Sequence, residues 1–131
     1  MRFLLDTHTL IWALFDPDKL PVEIQLAISN LRNEIYVSTA SLWEIEIKNQ
    51  KRPLTMPYNS KLIELSISNA GYYILPIDSQ DINNIDFIMQ QNIHNDPFDH
   101  ILLSTAKSRD LCLITHDKTI SKYKDVQMKT Y

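Results

Sequence analysis

A single glycine, Gly71, serves the whole chain, and that scarcity excludes a good deal. A dinucleotide-binding fingerprint or a P-loop needs several glycines so that backbone can approach phosphate closely. Neither can be built here, and Gly71 itself is placed to end a helix through a left-handed residue. Cysteine is equally scarce. Cys112 has no partner within the chain, so no internal disulfide can form and a reducing cytoplasm is the expected compartment. It lies in an apolar run and reads as a small core residue rather than a nucleophile. No apolar run approaches the roughly 20 residues of a membrane span, so no membrane partner is expected. Asp6 and His8 interrupt the first apolar stretch too early for a signal peptide. Positive charge is not in excess either: 13 Lys and Arg against 16 Asp and Glu give a formal net charge of −3. That balance argues against holding nucleic acid by bulk electrostatics, while leaving room for a local basic rim. No serine stands on a Gly-x-Ser-x-Gly elbow, and no His-Cys pattern suggests zinc.

What is present is one domain, residues 1–131, long enough to bury a core without staples. Short apolar runs alternate with amphipathic ones. We read strands at 2–5, 35–37, 72–75, 112–114 and 126–128. Helices are expected at 7–14, 21–31, 40–49, 58–70, 79–90 and 97–108, with a short one near 117–122. The helical expectations rest on spacing: Ile24, Ala27, Ile28 and Leu31; Leu62, Leu65 and Ala70 beside Ile63 and Ile67; Ile82, Ile85 and Met89. Strands separated by helices imply an α/β fold with a short, mostly parallel sheet covered on both faces.

The acids then stand out by position. Asp96-Pro97-Phe98-Asp99 precedes the apolar-periodic run 100–106, and proline is tolerated at a first helical position. Asp96 is therefore the expected N-cap and Asp99 the third helical residue. Arg2-Phe3-Leu4-Leu5 ends at Asp6, and Leu111-Cys112-Leu113-Ile114 runs into Thr115-His116-Asp117. Ile35-Tyr36-Val37 leads into a helix carrying Glu44. In open α/β sheets the ligand crevice lies beyond the carboxyl ends of the strands, which puts these acids on one rim. Each also has a plain reading. Asp96 and Asp99 suit a helix start, Glu44 can pair with Lys48, and Asp117 can cap a following helix. Thr7 and Thr115 can orient the acids or make ordinary turn hydrogen bonds. Trp43 reads as core, and His8 as polar surface or a donor behind the acids.

Asp6 after the first strand, Glu44 within Ser38-Thr39-Ala40-Ser41-Leu42-Trp43-Glu44, Asp96-Pro97-Phe98-Asp99, and Thr115-His116-Asp117 occur in this order. The pattern resembles the PIN-domain nucleases, in particular the VapC-type toxins of toxin–antitoxin pairs that carry an Asp-Pro-Phe-Asp motif. The resemblance spans essentially the whole chain. It implies a three-layer α/β/α PIN-like fold and a metal-dependent endoribonuclease, usually dimeric and silenced by a small antitoxin. Carried over, the family's catalytic and metal-binding acids fall on Asp6, Glu44, Asp99 and Asp117, with Asp96 as a further metal ligand of this branch. The sequence departs from the pattern at His100, where arginine is usual, at Ser104-Thr105-Ala106, and at His116. These departures bear on substrate preference, since none removes a carboxylate.

The residue chemistry agrees with that implication. Small, hard Mg²⁺ or Mn²⁺ takes oxygen ligands, and carboxylates from several elements can hold it with positions left open for phosphate and water. Lys48, Lys51 and Arg52 on one side and Lys107, Arg109, Lys118 and Lys122 on the other are expected to flank the rim for RNA, whereas residues 77–99 hold acids and no Lys or Arg. The rival reading is a non-catalytic PIN-like module that binds RNA or protein. A haloacid-dehalogenase-like phosphatase would need an acid where His8 stands, and a receiver-like phosphoacceptor needs an acidic pair and a late lysine that are missing.

Overall fold

The computed structural model describes residues 1–131. Five strands form one sheet: β1 (Arg2–Leu5), β2 (Glu34–Ser38), β3 (Tyr73–Leu75), β4 (Cys112–Thr115) and β5 (Met128–Thr130). Their order is β3-β2-β1-β4-β5, and every neighbouring pair is parallel. The helices are α1 (Thr7–Phe15), α2 (Val22–Ser29), α3 (Thr39–Lys51), α4 (Ser60–Ala70), α5 (Ser79–Asn83), α6 (Ile85–Met89) and α7 (Pro97–Ser108). None is long and apolar enough to cross a membrane.

Successive strand residues face opposite ways, so the near-continuous apolar strands supply two cores. Phe3 and Leu5 of β1, Ile35 and Val37 of β2, and Cys112 and Ile114 of β4 pack with Leu10, Ile24, Ile45, Ile63 and Ile67 from α1 to α4. Leu4 and Leu113 point the other way, onto Ile88 of α6 and Leu102, Leu103 and Ala106 of α7. The expected α/β/α layering is the observed one.

This topology places the site. From β1 the chain steps outward to β2 and β3, then returns past β1 to β4 and β5. Between β1 and β4 the direction of winding reverses, which opens a crevice at the carboxyl ends of those two strands. Leu5 pairs with Ile114, and the Asp6 amide donates to the Ile114 carbonyl at 3.1 Å. Asp6 and the segment 115–117 therefore emerge side by side at that crevice.

Local details differ from the sequence reading for identifiable reasons. The helix expected over 79–90 is broken at Asn84, whose amide group donates to the Ser108 hydroxyl; adjacent asparagines compete with helical hydrogen bonding. The short helix after β4 is a 3₁₀ turn, Ile120–Lys122. The last strand starts at Met128 instead of 126, because Asp125 turns the chain at φ 64° and Val126 folds into the core beneath it. Gly71 ends α4 at φ 79°, as expected. The apolar stripes were partly misassigned. Ile24, Ile63 and Ile67 are buried, and Ile88, outside the expected stripe, takes the core position in α6, whereas Leu62, Leu65, Ile82, Met89 and Leu31 are exposed.

Candidate active site

All five acids singled out from the sequence line one pocket of about 270 Å³, together with Thr7, His8, Lys48 and His116. Each arrives there by ordinary local structure. Asp6 is the N-cap of α1 and accepts from the Thr9 amide at 2.8 Å. Asp96 is the N-cap of α7, with Pro97 as first helical residue, and its Oδ1 accepts from the amides of Phe98 and Asp99. Asp117 Oδ1 accepts from the Thr119 and Ile120 amides. Glu44 lies within α3 and pairs with Lys48 at 2.8 Å. The capping and pairing readings are thus correct, and the same contacts aim the acids at one space.

Two threonines fix the deeper wall. The buried Thr115 hydroxyl donates to Asp6 Oδ2 and accepts from the Asp117 amide at 3.1 Å. Thr7 donates to Glu44 Oε1 at 2.7 Å and lies 3.0 Å from Ser41 Oγ. Asp6 and Glu44 therefore have both side-chain oxygens engaged. Asp96, Asp99 and Asp117 each use one oxygen and leave the other without a hydrogen-bond partner. Burial pushes the Asp99 carboxyl up to about 6, the negative charges of Asp96 and Asp117 add to that, and the His94 hydrogen bond opposes it.

The donor set suits a hard divalent cation: all-carboxylate oxygen, three of them unpartnered. As placed, no three acidic, histidine or cysteine side chains stand close enough to hold one ion. Glu44 has both oxygens engaged, by Thr7 and Lys48, whereas His94 holds only Oδ2 of Asp99 and leaves its Oδ1 unpartnered.

His94 is the site residue that the sequence reading missed. Its Nε2 bonds Asp99 Oδ2 at 2.8 Å and its Nδ1 bonds the Tyr123 hydroxyl at 2.8 Å, while the buried His100 ring donates to the His94 carbonyl at 2.7 Å. No spacing rule announces it, since it sits in a loop five residues before Asp99 and its partner Tyr123 comes from the far end of the chain. His100, where arginine is usual in the resembling branch, thus serves the loop that holds Asp99.

Other expectations need correction. Trp43 is 62% exposed rather than core, because α3 buries Ala40, Ser41 and Ile45 instead, and its ring meets Phe98 edge-on at 5.1 Å. Lys107 and Arg109 do not flank the rim. Neither lines the pocket: Arg109 is taken up by the Pro76 carbonyl, Asp78 and Asp81, and Lys107 donates to the Asp125 carbonyl. Lys48 lines the pocket, and Lys51, Arg52, Lys118 and Lys122 remain exposed.

A family model described as PIN domain matches residues 3–126. The chain belongs to the PIN domain family. No curated protein matches its sequence. Among solved structures it is similar to VapBC2 from Rickettsia felis bound to a promoter DNA fragment, with a TM-score of 0.74 at 17% identity over 99% of this chain and 98% of that one. It is similar to DNA-bound VapBC from Salmonella typhimurium, with a TM-score of 0.74 at 21% identity and the same coverage. VapBC-5 from Mycobacterium tuberculosis, a member of the VapBC family of toxin-antitoxin systems, gives a TM-score of 0.62 at 16% identity over 98% of this chain and 96% of that one. At these identities the likeness establishes a shared PIN fold along the full chain.

Proposed function

We propose that this PIN domain is a Mg²⁺- or Mn²⁺-dependent endoribonuclease and the toxin of a toxin–antitoxin pair. One observation carries the proposal: carboxylates from five separate positions line a single pocket at the sheet's switch point, three of them with an unpartnered oxygen. Asp6, Glu44, Asp99 and Asp117 are the catalytic and metal-holding set, with Asp96 as a further ligand. When bound, the ion polarises the phosphoryl group, lowers the pKa of the attacking water and stabilises the leaving oxygen. The protein's own part is positioning. Thr115 fixes Asp6, Thr7 fixes Glu44, and His94 holds Asp99. Lys48 puts a cation at the pocket wall to receive phosphate.

RNA backbone follows Lys48, Lys51 and Arg52 on one flank and Lys118 and Lys122 on the other, so affinity falls steeply with salt. The similarity to VapBC structures supports a small antitoxin as partner, and the family resemblance implies a homodimer as the working form. An acidic pocket without its metal is a natural receptor for an arginine or lysine of such an inhibitor. The test is direct. Purified protein should cleave RNA with added Mg²⁺ or Mn²⁺ and not in chelator, and its expression should slow growth. Asp6→Asn should do neither. Equal toxicity of the two forms, or RNA binding without cleavage in either metal, would replace the enzyme with a non-catalytic binding module.

A further inference from the structure

The four histidines divide into two pairs. His94 and His100 lie behind Asp99, with both ring nitrogens of His94 and Nε2 of His100 hydrogen-bonded. His8 and His116 are exposed and line the acidic pocket, and their imidazole rings make no hydrogen bond within the chain. Each stands next to a strand-end acid, in Asp6-Thr7-His8 and Thr115-His116-Asp117, so the switch point that unites the acids also unites these rings. Their centroids are 5.8 Å apart. Trp12 lies 5.2 Å from His8 and 4.8 Å from His116, and Tyr131 stacks on His116 at 5.5 Å and 26°.

The four rings form a contiguous shelf in which His116 and Tyr131 stack, His8 and Trp12 meet His116 edge-on at 71° and 65°, and His8 tilts against Trp12 at 46°. Trp12 and Tyr131 pack against the sheet core, and the Tyr131 hydroxyl is tied to Thr9 Oγ1 at 2.8 Å. The imidazoles lie outermost, beside the carboxylates. Lys19 Nζ is 5.9 Å from the Trp12 centroid, a cation at the shelf's outer end. On the pocket's other flank, the groove of Trp43, Phe98, Ile77, Ile82 and Ile101 is almost wholly hydrocarbon. That composition offers a base no hydrogen bonds, whereas the histidine shelf presents π faces and unpartnered ring nitrogens together.

We propose that His8, Trp12, His116 and Tyr131 form a stacking platform that seats a nucleobase of single-stranded RNA beside the acidic pocket. The proposal rests on the RNA-nuclease reading above and assigns it specificity-determining residues. Flat aromatic faces stack any base, and the imidazole edges then favour bases whose exposed groups complement them. A duplex keeps its bases stacked inside, so paired RNA is a poor occupant. The platform also accounts for a histidine inside the Thr-x-Asp element, which has no part in holding the carboxylates.

Fluorescence provides the test, because the chain has only two tryptophans. Trp43→Phe leaves Trp12 as the sole reporter. In chelator, where no cleavage occurs, single-stranded octanucleotides should quench Trp12, and a duplex should not. His8→Ala with His116→Ala should weaken single-strand binding on the order of ten-fold. His116→Phe should retain most of it, which a charge role would not allow. An oligonucleotide with one abasic position should lose the same factor against the unsubstituted protein and nothing against the double alanine variant. Circular dichroism checks that the variants fold. Cleavage with Mn²⁺ but a silent Trp12 and no effect of the alanines would overturn the platform and leave the nuclease standing. Quenching without any cleavage would keep the platform and remove the nuclease. Neither quenching nor cleavage would overturn both.

Discussion

Two helices of this protein begin with the same local pattern and end in opposite situations. Asp78-Ser79-Gln80-Asp81 opens α5 and Asp96-Pro97-Phe98-Asp99 opens α7, each with an Asp N-cap and a second Asp at the third helical position. In the first, Asp81 reaches back to the Asp78 amide, and Arg109 closes the box with bonds of 2.9 Å to both carboxylates. All four side-chain oxygens are satisfied although Asp81 is wholly buried. In the second, Asp99 turns away to His94, and both aspartates keep an oxygen free toward a pocket already holding three other acids. A capping pair of acids, even with one of them buried, therefore does not mark a site. What marks one is negative charge that the chain leaves without its own cation.

The largest way to break this contrast is Arg109→Met. It strands the Asp81 carboxylate in the interior, which costs about 3–5 kcal/mol for a broken buried pair. Urea unfolding should show that loss, while RNA cleavage per folded molecule stays unchanged because Arg109 is remote from the pocket. A cost below about 1 kcal/mol, the level of a surface pair, would mean that the two clusters are not different in kind.

Asp6→Asn sharpens the contrast from the other side. It keeps shape and an acceptor for the Thr9 amide, and it removes one of several crowded charges, so in chelator the variant should melt no lower than the wild type. Cleavage should nonetheless fall by roughly 100-fold or more, the scale of losing one group that stabilises charge in the transition state. Mn²⁺ at 100 times its Kd should stabilise the wild type by about 2.7 kcal/mol, and the variant by much less. A clear loss of stability in chelator with the metal response intact would reassign Asp6 to helix capping alone.

The features legible in the sequence were those with a local cause. Strand ends followed by acids, Pro97 inside a helix start and Gly71 after a helix all follow from backbone chemistry within a few residues. That suffices for the element order and for bringing Asp6, Glu44, Asp96, Asp99 and Asp117 to one rim. What stayed hidden was set by partners far along the chain. Arg109 lies 31 and 28 residues from the aspartates it closes on, and His94 is held by Tyr123 at 29. Charge counting along the sequence therefore put Arg109 on the rim, when it belongs to the other aspartate pair. Trp43 and the Leu62–Leu65 stripe failed similarly, since periodicity shows that a helix has an apolar face without showing which face meets the sheet.

The smallest expected effect is a pH dependence confined to the open cluster. Burial raises the Asp99 carboxyl from 3.8 to about 6, with Asp96 and Asp117 adding to the rise against the hydrogen bond from His94. The folded chain then binds a proton that the unfolded chain releases, between pH about 4 and about 6. Stability from this group is fully present below the unfolded value and is lost as pH rises through the folded one. Metal-free protein should accordingly lose stability from pH 4 toward 7 by an amount that solvent contact at Asp99 keeps small. Asp99→Asn should flatten that slope. Metal affinity should run the opposite way and weaken below about pH 6, as protons compete for the same oxygens. Denaturant midpoints across this range, in chelator and in Mn²⁺, measure both trends. A slope unchanged by Asp99→Asn would show that the open cluster carries no charge strain, and the contrast with the Arg109 box would fall.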